Sequence, residues 1–477
     1  MQSDTDKLTI KHIKWLIWLY FWLLIFEGTF RKWILPQYSD VILVIRDPVV
    51  LAIYCLALKA KVFPRNGYIL CLGIIAILSW IVSLVVLEPY LSLKPLLLVT
   101  GYGFRSNFVH LPLIFVMGKT FEPEDVKKLG WWVLLCSIPM AVLLAVQFNA
   151  SPDAFINRTA GLGEAQQITA GGGKIRPPGT FSFVSGVIFY AALSAAYLLY
   201  AALTRGLYRN WLLFSAGLAL VVTIGVSGSR STLLSVLVVV SSLLAIIVLR
   251  PQAVNQFGRN LLIVVAVLLI VTRLPVFKEG VQILSDRFTV TAEAEETSIA
   301  GGLLARTFSG FTEGFLLLPH APIGGYGLGI GTNGGAKFLT GRAMFLLTEG
   351  EWGRVILESG PILGLAYLLW RTLLTARLGF LSFRKLRQGE IFPIMLFAAG
   401  FVSLLNGQFG QPTNLGFAVF VCGLCLASMN KEPAESDAEL LEPAPTPLRQ
   451  GARRSRYAER LHHSSAAQRN SDDSSDR

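Results

Sequence analysis

Long apolar segments dominate this chain and limit its fold more than any other feature. About twelve of them fill residues 13–429, and each is about 17–22 residues long. A helix of that length crosses the ~30 Å hydrocarbon core of a bilayer. The runs do not alternate between apolar and polar residues, as the strands of a membrane β-barrel do. The pattern therefore predicts an all-α, polytopic integral membrane protein with about 12 transmembrane helices.

Composition supports this assignment. In the whole sequence 53% of the residues are hydrophobic and only 15% are charged, a balance that soluble proteins rarely have. The bilayer buries the side chains of the spans, so no single soluble core is needed. The predicted spans run approximately over 15–34, 40–58, 67–87, 95–117, 128–147, 181–203, 210–227, 231–249, 259–275, 352–374, 390–407 and 412–429.

Lys and Arg are distributed unequally between alternate connections. With Met1 inside, eighteen of them, including Arg371, fall in inner connections, and seven fall in short outer segments. Because cytoplasmic loops are enriched in Lys and Arg, both termini are predicted to be cytoplasmic. The net charge of +12 follows from this distribution, so it does not require a nucleic-acid partner.

One long polar segment, about 276–350, separates the ninth and tenth spans. With both termini inside, this segment is a large periplasmic loop. It carries His320 and the acidic pair Glu349 and Glu351. Its glycine-rich stretch, 324–331, is interpreted as a tight turn that carries the loop back to the membrane.

The chain is predicted to have two parts. Residues 1–429 form a transmembrane domain. Residues 430–477 are rich in Pro, Ser, Arg, Glu and Asp and almost lack apolar runs, which is typical of a disordered tail, here on the cytoplasmic side.

Two connections at the predicted outer surface carry cations. Residues 226–232 join two spans with almost no loop, which holds Arg230 at the membrane surface. Lys174 and Arg176 lie in a stretch rich in glycine and proline, 171–181, just before the next span. An arginine so placed can bind a phosphate through two parallel hydrogen bonds. The alternatives are an arginine that extends to lipid head groups and an ordinary charged loop.

Arg46, Asp47 and Arg105 are among the charged residues that fall inside predicted spans. A charge in the membrane costs at least a few kcal/mol and usually faces a partner or a polar cavity. Arg46 and Asp47 are adjacent, so they are expected either to pair with each other or to face such a cavity.

Arg354 lies at the start of the tenth span, three residues after Glu351 and four before Glu358. Helical spacing puts the three side chains on one face. Two interpretations follow: an arginine directed at a glycan or pyrophosphate and oriented by carboxylates, or a salt bridge within the helix.

Several features, in their order along the chain, carry a family resemblance. They are Ser227-Gly228-Ser229-Arg230, the late outer loop, Gly-Tyr-Gly-Leu-Gly at 325–329 and Glu-Ser-Gly-Pro-Ile-Leu-Gly-Leu at 358–365. Together they resemble the O-antigen ligase and O-antigen polymerase superfamily of bacterial membrane glycosyltransferases. The resemblance covers most of residues 20–430.

The resemblance implies a metal-independent glycosyltransferase without a cofactor. Such an enzyme transfers or polymerises undecaprenyl-pyrophosphate-linked glycan at the periplasmic face, for O-antigen, capsule or exopolysaccharide. The implied location is the bacterial inner membrane. The implied partners are the lipid-linked oligosaccharide, the bilayer and other envelope polysaccharide assembly proteins.

The resemblance also assigns roles to single residues. Arg230 matches the family's phosphate-binding arginine after the serine, and Arg176 is a looser match to a second one. Lys174 and Arg354 complete the predicted substrate-binding set.

The general base departs from the family pattern. In the ligases, the large loop ends in His-Asn shortly before Glu-x-Gly. Aligning on Glu-Ser-Gly at 358–360 places Glu349-Gly350 at that position. Glu349 is therefore the first candidate for the base, with Glu351 and His320 as alternatives. The departure favours a polymerase-like or divergent member.

A transporter or flippase for lipid-linked sugars or small anions is the rival function. It explains the membrane cations equally well. It explains the long polar loop less well, because transport sites tend to lie at mid-membrane between broken helices.

Overall fold

The computed structural model describes residues 4–162, 167–204, 206–249, 310–342 and 344–430. The predicted ninth span, the loop residues before Gly310 and the predicted tail after Asn430 lie outside the described residues.

Helices make up most of the described chain, as the all-α prediction required. We number them α1 Asp4–Thr29, α2 Ser39–Ile42, α3 Arg46–Lys59, α4 Gly67–Leu87, α5 Leu93–Phe104, α6 Leu113–Thr120, α7 Pro123–Asn149, α8 Ser185–Leu203, α9 Asn210–Val226, α10 Arg230–Leu249, α11 Asn333–Thr340, α12 Glu351–Gln388, α13 Phe392–Asn406 and α14 Pro412–Ala427.

Shorter elements connect these helices. They are π-helical turns at Phe30–Ile34 and Arg105–Val109, 3₁₀ turns at Pro36–Tyr38, Phe155–Asn157 and Leu318–His320, and a small antiparallel hairpin of β1 Thr169–Gly171 and β2 Lys174–Ile175. Residues 310–317 are also helical.

Six helical segments in the described ranges are long and apolar enough to cross a membrane. Their bounds are Asp6–Ile34, Pro36–Lys59, Gly67–Leu87, Pro123–Asn149, Ser185–Leu203 and Arg230–Leu249. Helices α9, α13 and α14 are apolar but shorter. A mostly helical chain with six candidate membrane-spanning helices in the described ranges is therefore confirmed, while the count of about twelve spans stays a prediction.

The orientation of the side chains of α4 shows why a bilayer suits this fold. Large apolar side chains point outward, whereas the buried positions carry serine and alanine as well as leucine. Small residues at buried positions let membrane helices pack closely, and outward apolar side chains meet lipid. The outward set is Leu70, Ile74, Ile77, Ile81 and Val85, and the buried set is Leu72, Ala76, Ser79, Ser83 and Leu87.

Polar contacts separate the helix ends into two groups. Toward one end, Lys14 in the first half of α1 pairs with Asp125 at the start of α7 (2.7 Å). At the other end, Arg46 at the start of α3 donates to the carbonyl of Pro412 at the start of α14 (2.6 Å). We call this second end the loop end, because it also holds α11 and the start of α12.

Two predicted spans are interrupted. Gly360 inside α12 has φ 77° and ψ 170°, and Pro361 follows it, so the tenth span consists of two helical pieces. Proline lacks an N–H and its ring clashes with the preceding turn, while glycine accepts the positive φ. The fourth span is likewise broken between the π-helical turn at Arg105–Val109 and α6.

Candidate functional site

Three cations at the loop end lie on π-helical turns. Arg31 and Lys32 lie on the turn that extends α1, and Arg105 begins the turn that follows α5. A π-helical turn inserts one residue into the helical pattern, and such turns are frequent at functional sites. These two turns bring buried positive charge to one end of the bundle.

Glu27 of α1 holds two of the surrounding arginines. Arg46 donates through Nε to Glu27 Oε2 (3.0 Å), and Arg31 donates through Nη1 to Glu27 Oε1 (3.4 Å). Arg31 also donates to Ser182 Oγ (2.9 Å) and to the carbonyl of Ser39 (3.0 Å). One carboxylate therefore ties α1 to α3, and Arg31 ties α1 to the start of α8.

Asp47 has different partners. Arg105 donates through Nε to Asp47 Oδ2 (2.5 Å), and His110 Nε2 lies 2.8 Å from Asp47 Oδ1. The other ring nitrogen of His110 lies 3.1 Å from the Tyr20 hydroxyl. The expectation that Arg46 and Asp47 pair with each other is wrong, because successive residues of a helix point about 100° apart and these two meet different neighbours.

Lys32 is fully buried. Its ammonium donates to the carbonyl of Gly179 (2.5 Å) and lies 4.3 Å from the ring centroid of Trp33. Among the described residues it has no carboxylate partner. The backbone around Phe181 packs tightly against α1 because Gly28 has no side chain. A Cβ on Gly28 would lie 2.3 Å from the backbone of Phe181.

The predicted phosphate-binding arginines lie on neighbouring segments. A Cβ on Gly228 would lie 3.7 Å from Cγ of Arg176. Gly228 stands in the tight turn that leads into Arg230, the first residue of α10. Lys174 lies on β2, with its ammonium 5.3 Å from the ring centroid of Phe148. The structure thus brings together two stretches of chain that are about 50 residues apart in sequence.

The charged residues of α12 form a buried network. Arg354 donates to Glu351 (2.9 and 3.0 Å), to Glu358 (2.6 Å) and to the side-chain oxygen of Asn107 (2.8 Å). Arg371 donates to Glu351 Oε1 (2.7 Å). All four charged side chains are almost completely inaccessible. Of the two interpretations of Arg354, this geometry favours the structural salt bridge.

The position of Arg371 shows that one assignment of a cation to an inner connection is wrong. Arg371 was assigned to a cytoplasmic connection, but it is fully buried inside the bundle. Its remaining donors reach the carbonyls of Leu404 (2.9 Å) and Gly407 (3.1 Å), at the end of α13. Arg371 therefore belongs to the interior of the bundle, and α12 continues beyond the predicted span to Gln388.

The glycine-rich stretch packs against the break in α12. The backbone N–H groups of Tyr326 and Gly327 donate to the carbonyls of Leu357 (2.7 Å) and Glu358 (2.9 Å), which the break leaves without their helical partners. Gly331 N–H donates to Glu358 Oε1 (2.9 Å). This close approach of two backbones accounts for the glycines.

The other two base candidates are exposed. Glu349 lies just before α12, and its carbonyl accepts from the side-chain amide of Gln408 (2.6 Å). Gln408 accepts in turn from Gln411 (2.7 Å), and Gln411 accepts from Ser185 (3.4 Å). His320 ends the 3₁₀ turn Leu318–His320. Glu349 therefore has an accessible carboxylate at the loop end, close to a row of amide and hydroxyl groups.

Sequence reasoning missed His110 and the role of Arg371. His110 follows the π-helical turn inside a predicted span, and a polar residue at that depth was the available signal. Within the described ranges, no three His, Cys, Asp or Glu side chains are grouped so that they could hold a metal ion. No protein-family model matches the chain, and no curated protein matches it.

Proposed function

We propose that this chain is a membrane glycosyltransferase that takes glycan from a polyprenyl-pyrophosphate donor at the loop end of the bundle. The observation that carries the proposal is the convergence of cations on one segment, 174–182. Arg31 and Lys32 contact it from α1, and Arg176 within it lies beside the turn that leads to Arg230. These cations come from three distant parts of the sequence.

The chemistry of transfer needs such an arrangement. The acceptor hydroxyl oxygen forms a bond to the anomeric carbon while the bond from that carbon to the pyrophosphate oxygen breaks. Negative charge grows on the leaving pyrophosphate, and fixed cations stabilise it. Arg176 and Arg230 serve this purpose, and Lys174 adds charge beside them.

The hydroxyl proton must pass to a base. Glu349 suits this role because its side chain is exposed at the loop end, next to Gln408. Glu351 suits it less well, since both of its oxygens accept hydrogen bonds from buried arginines. His320 is also exposed, so it remains the alternative.

The test is transfer by purified variants in proteoliposomes that contain a prenyl-pyrophosphate-linked oligosaccharide. Arg176→Gln and Arg230→Gln should each lower the rate by about a hundredfold, in the range measured for loss of one charge-stabilising donor. Arg158→Gln, which removes an exposed arginine in the connection from α7 to α8, is the matched control. Wild-type rates in folded Arg176→Gln and Arg230→Gln would refute the assignment.

A transporter for lipid-linked sugars or small anions is the second candidate. The observation that favours it is the pair of interrupted helices. Asn107, on the π-helical turn after α5, meets Arg354 on the first piece of the broken α12. Transport sites are commonly built from such discontinuous helices. Translocation of donor lipid without a change in glycan length would support this candidate.

A further inference from the structure

The buried charges around α1, α3 and the turn after α5 do not cancel. Three arginines among the described residues, Arg31, Arg46 and Arg105, pair with only two carboxylates, Glu27 and Asp47. The third titratable neighbour is His110, whose ring bonds Asp47 and Tyr20. Uncompensated buried charge is costly, so the imbalance points to an anion that completes the cluster.

Arg105 is the residue that would donate hydrogen bonds to this anion. Its Nε donates to Asp47 and its Nη2 to the carbonyl of Leu43 (3.3 Å), which fixes the plane of the guanidinium. Its Nη1 is buried and has no hydrogen-bond partner among the described residues. The residue is 7% exposed, so bulk water does not satisfy these two N–H groups. A buried donor left without an acceptor costs about as much as a lost hydrogen bond, unless a ligand accepts from it.

Tyr102 connects Arg105 with Arg31. The guanidinium of Arg105 lies 5.2 Å from the ring centroid of Tyr102, and the phenol interacts electrostatically with both arginines. Its hydroxyl makes only a long contact of 3.5 Å to the carbonyl of Gly410. Arg31 and Asp47 keep partial exposure, 12% and 18% of their side chains, so this side of the cluster is not sealed.

We propose that Arg105 and Arg31, together with the phenol of Tyr102, form a second oxyanion site that binds a phosphate group. The excess of one positive charge over these carboxylates matches an oxyanion with a single negative charge, which a phosphate group supplies. The unused N–H pair of Arg105 fits the oxygens of a phosphate. Arg105 bonds Asp47 and the carbonyl of Leu43, whereas Arg176 lies by the hairpin and the Gly228 turn, so Arg105 is not one of the cations of the proposed donor site. The site does not depend on the proposed transfer reaction.

The test is phosphate binding to the full chain in nanodiscs at low salt, measured by calorimetry with inorganic phosphate and with inorganic pyrophosphate. Arg105→Lys keeps the positive charge and a donor for Asp47, but it removes the Nη1 group that would bind the phosphate. It should weaken one binding event by tenfold or more, while the exposed control Arg158→Gln binds as wild type. If Arg105→Lys does not fold, Tyr102→Phe, which removes the phenol of the site, takes its place, with the same expectation.

The source of the phosphate is resolved by adding undecaprenyl phosphate to the nanodiscs. Competition with inorganic phosphate would assign the site to a lipid head group, and its absence would assign it to free phosphate. Arg176→Gln alters the proposed donor site and should leave the Arg105-dependent phosphate binding intact. The two proposals are therefore tested separately. Unchanged phosphate binding by folded Arg105→Lys would overturn the proposal. So would a wild-type protein that binds neither inorganic phosphate nor the prenyl phosphate.

Discussion

At the scale of single residues, the charges in this bundle fall into two kinds. The buried charges of α12 are paired with one another: Arg354 lies between Glu351 and Glu358, and Arg371 also donates to Glu351. Those at the loop end are only partly compensated, as Lys32 and Arg105 show. Completed pairs hold a structure together, whereas incomplete ones are suited to binding.

Removing Arg371 should destabilise the protein strongly. Arg371→Gln leaves Glu351 with one cation instead of two and frees the carbonyls of Leu404 and Gly407. Breaking a buried pair by removing one partner typically costs about 3–5 kcal/mol. The midpoint of thermal unfolding in detergent should fall clearly. Arg377→Gln, an exposed arginine of the same helix, is the control and should change it little.

The two acidic base candidates should respond differently to amide substitution. Glu349→Gln should abolish transfer and leave the unfolding midpoint unchanged, because the Gln408 contact uses the backbone carbonyl of Glu349. Glu351→Gln should lower the midpoint, because its carboxylate pairs with two buried arginines. Transfer and unfolding are measured on the same preparations. A folded Glu349→Gln with full activity would transfer the base assignment to His320.

At the scale of elements, apolar length predicted the helices but not their breaks. The runs over 67–87 and 231–249 match α4 and α10 closely. The hydropathy of the runs over 95–117 and 352–374 does not show where these helices break. Gly360-Pro361 is a local sequence signal for one of the two breaks. The π-helical turns depend on packing between helices, which hydropathy does not encode.

The candidate site, like the helices, could be predicted from the sequence only in part. The cation-bearing connections with Arg176 and Arg230 could be found from sequence, because charge beside an apolar run is conspicuous. The partners of Arg46, Asp47 and Arg371 could not, because they meet only through packing: Glu27 lies on α1, His110 follows the turn after α5, and Glu351 lies across the break in α12 from Arg371.

The break in α12 should require Gly360. Its φ of 77° strains any other residue by roughly 1–3 kcal/mol. A Cβ there would also lie 2.1 Å from the carbonyl oxygen of Ile323, in the segment that covers the break. Gly360→Ala should therefore lower the unfolding midpoint and loosen the glycine-rich stretch, read as faster amide exchange there. Gly73→Ala, in α4 with no atom within 4 Å of the new Cβ, is the matched control. Equal midpoints for the two variants would contradict this account of the break.

At the scale of the whole molecule, the helix ends separate into the loop end and the opposite end, and the charge distribution predicts that the loop end faces outward. The polar groups of the candidate site, from Arg31 to Glu349, all lie at the loop end. A donor lipid in the outer leaflet would then meet the cations at the depth of its head group.

This orientation can be measured by labelling. In a variant without the five native cysteines, Ser151→Cys is exposed in the connection after α7, and Arg65→Cys is exposed at the opposite end, before α4. A membrane-impermeant maleimide added to intact spheroplasts should label position 151 and spare position 65, and lysis should make both reactive. The reverse pattern would place the loop end in the cytoplasm.

The most direct measurement of the central claim is the fate of a radiolabelled polyprenyl-pyrophosphate oligosaccharide in proteoliposomes with the purified chain. Glycan length is read by mass spectrometry, and movement of the lipid across the bilayer is read in the same vesicles. We expect a longer glycan: a ladder of multiples identifies a polymerase, and a single transfer to an added acceptor identifies a ligase. Movement of the lipid with no change in glycan length would contradict the account and identify a transporter.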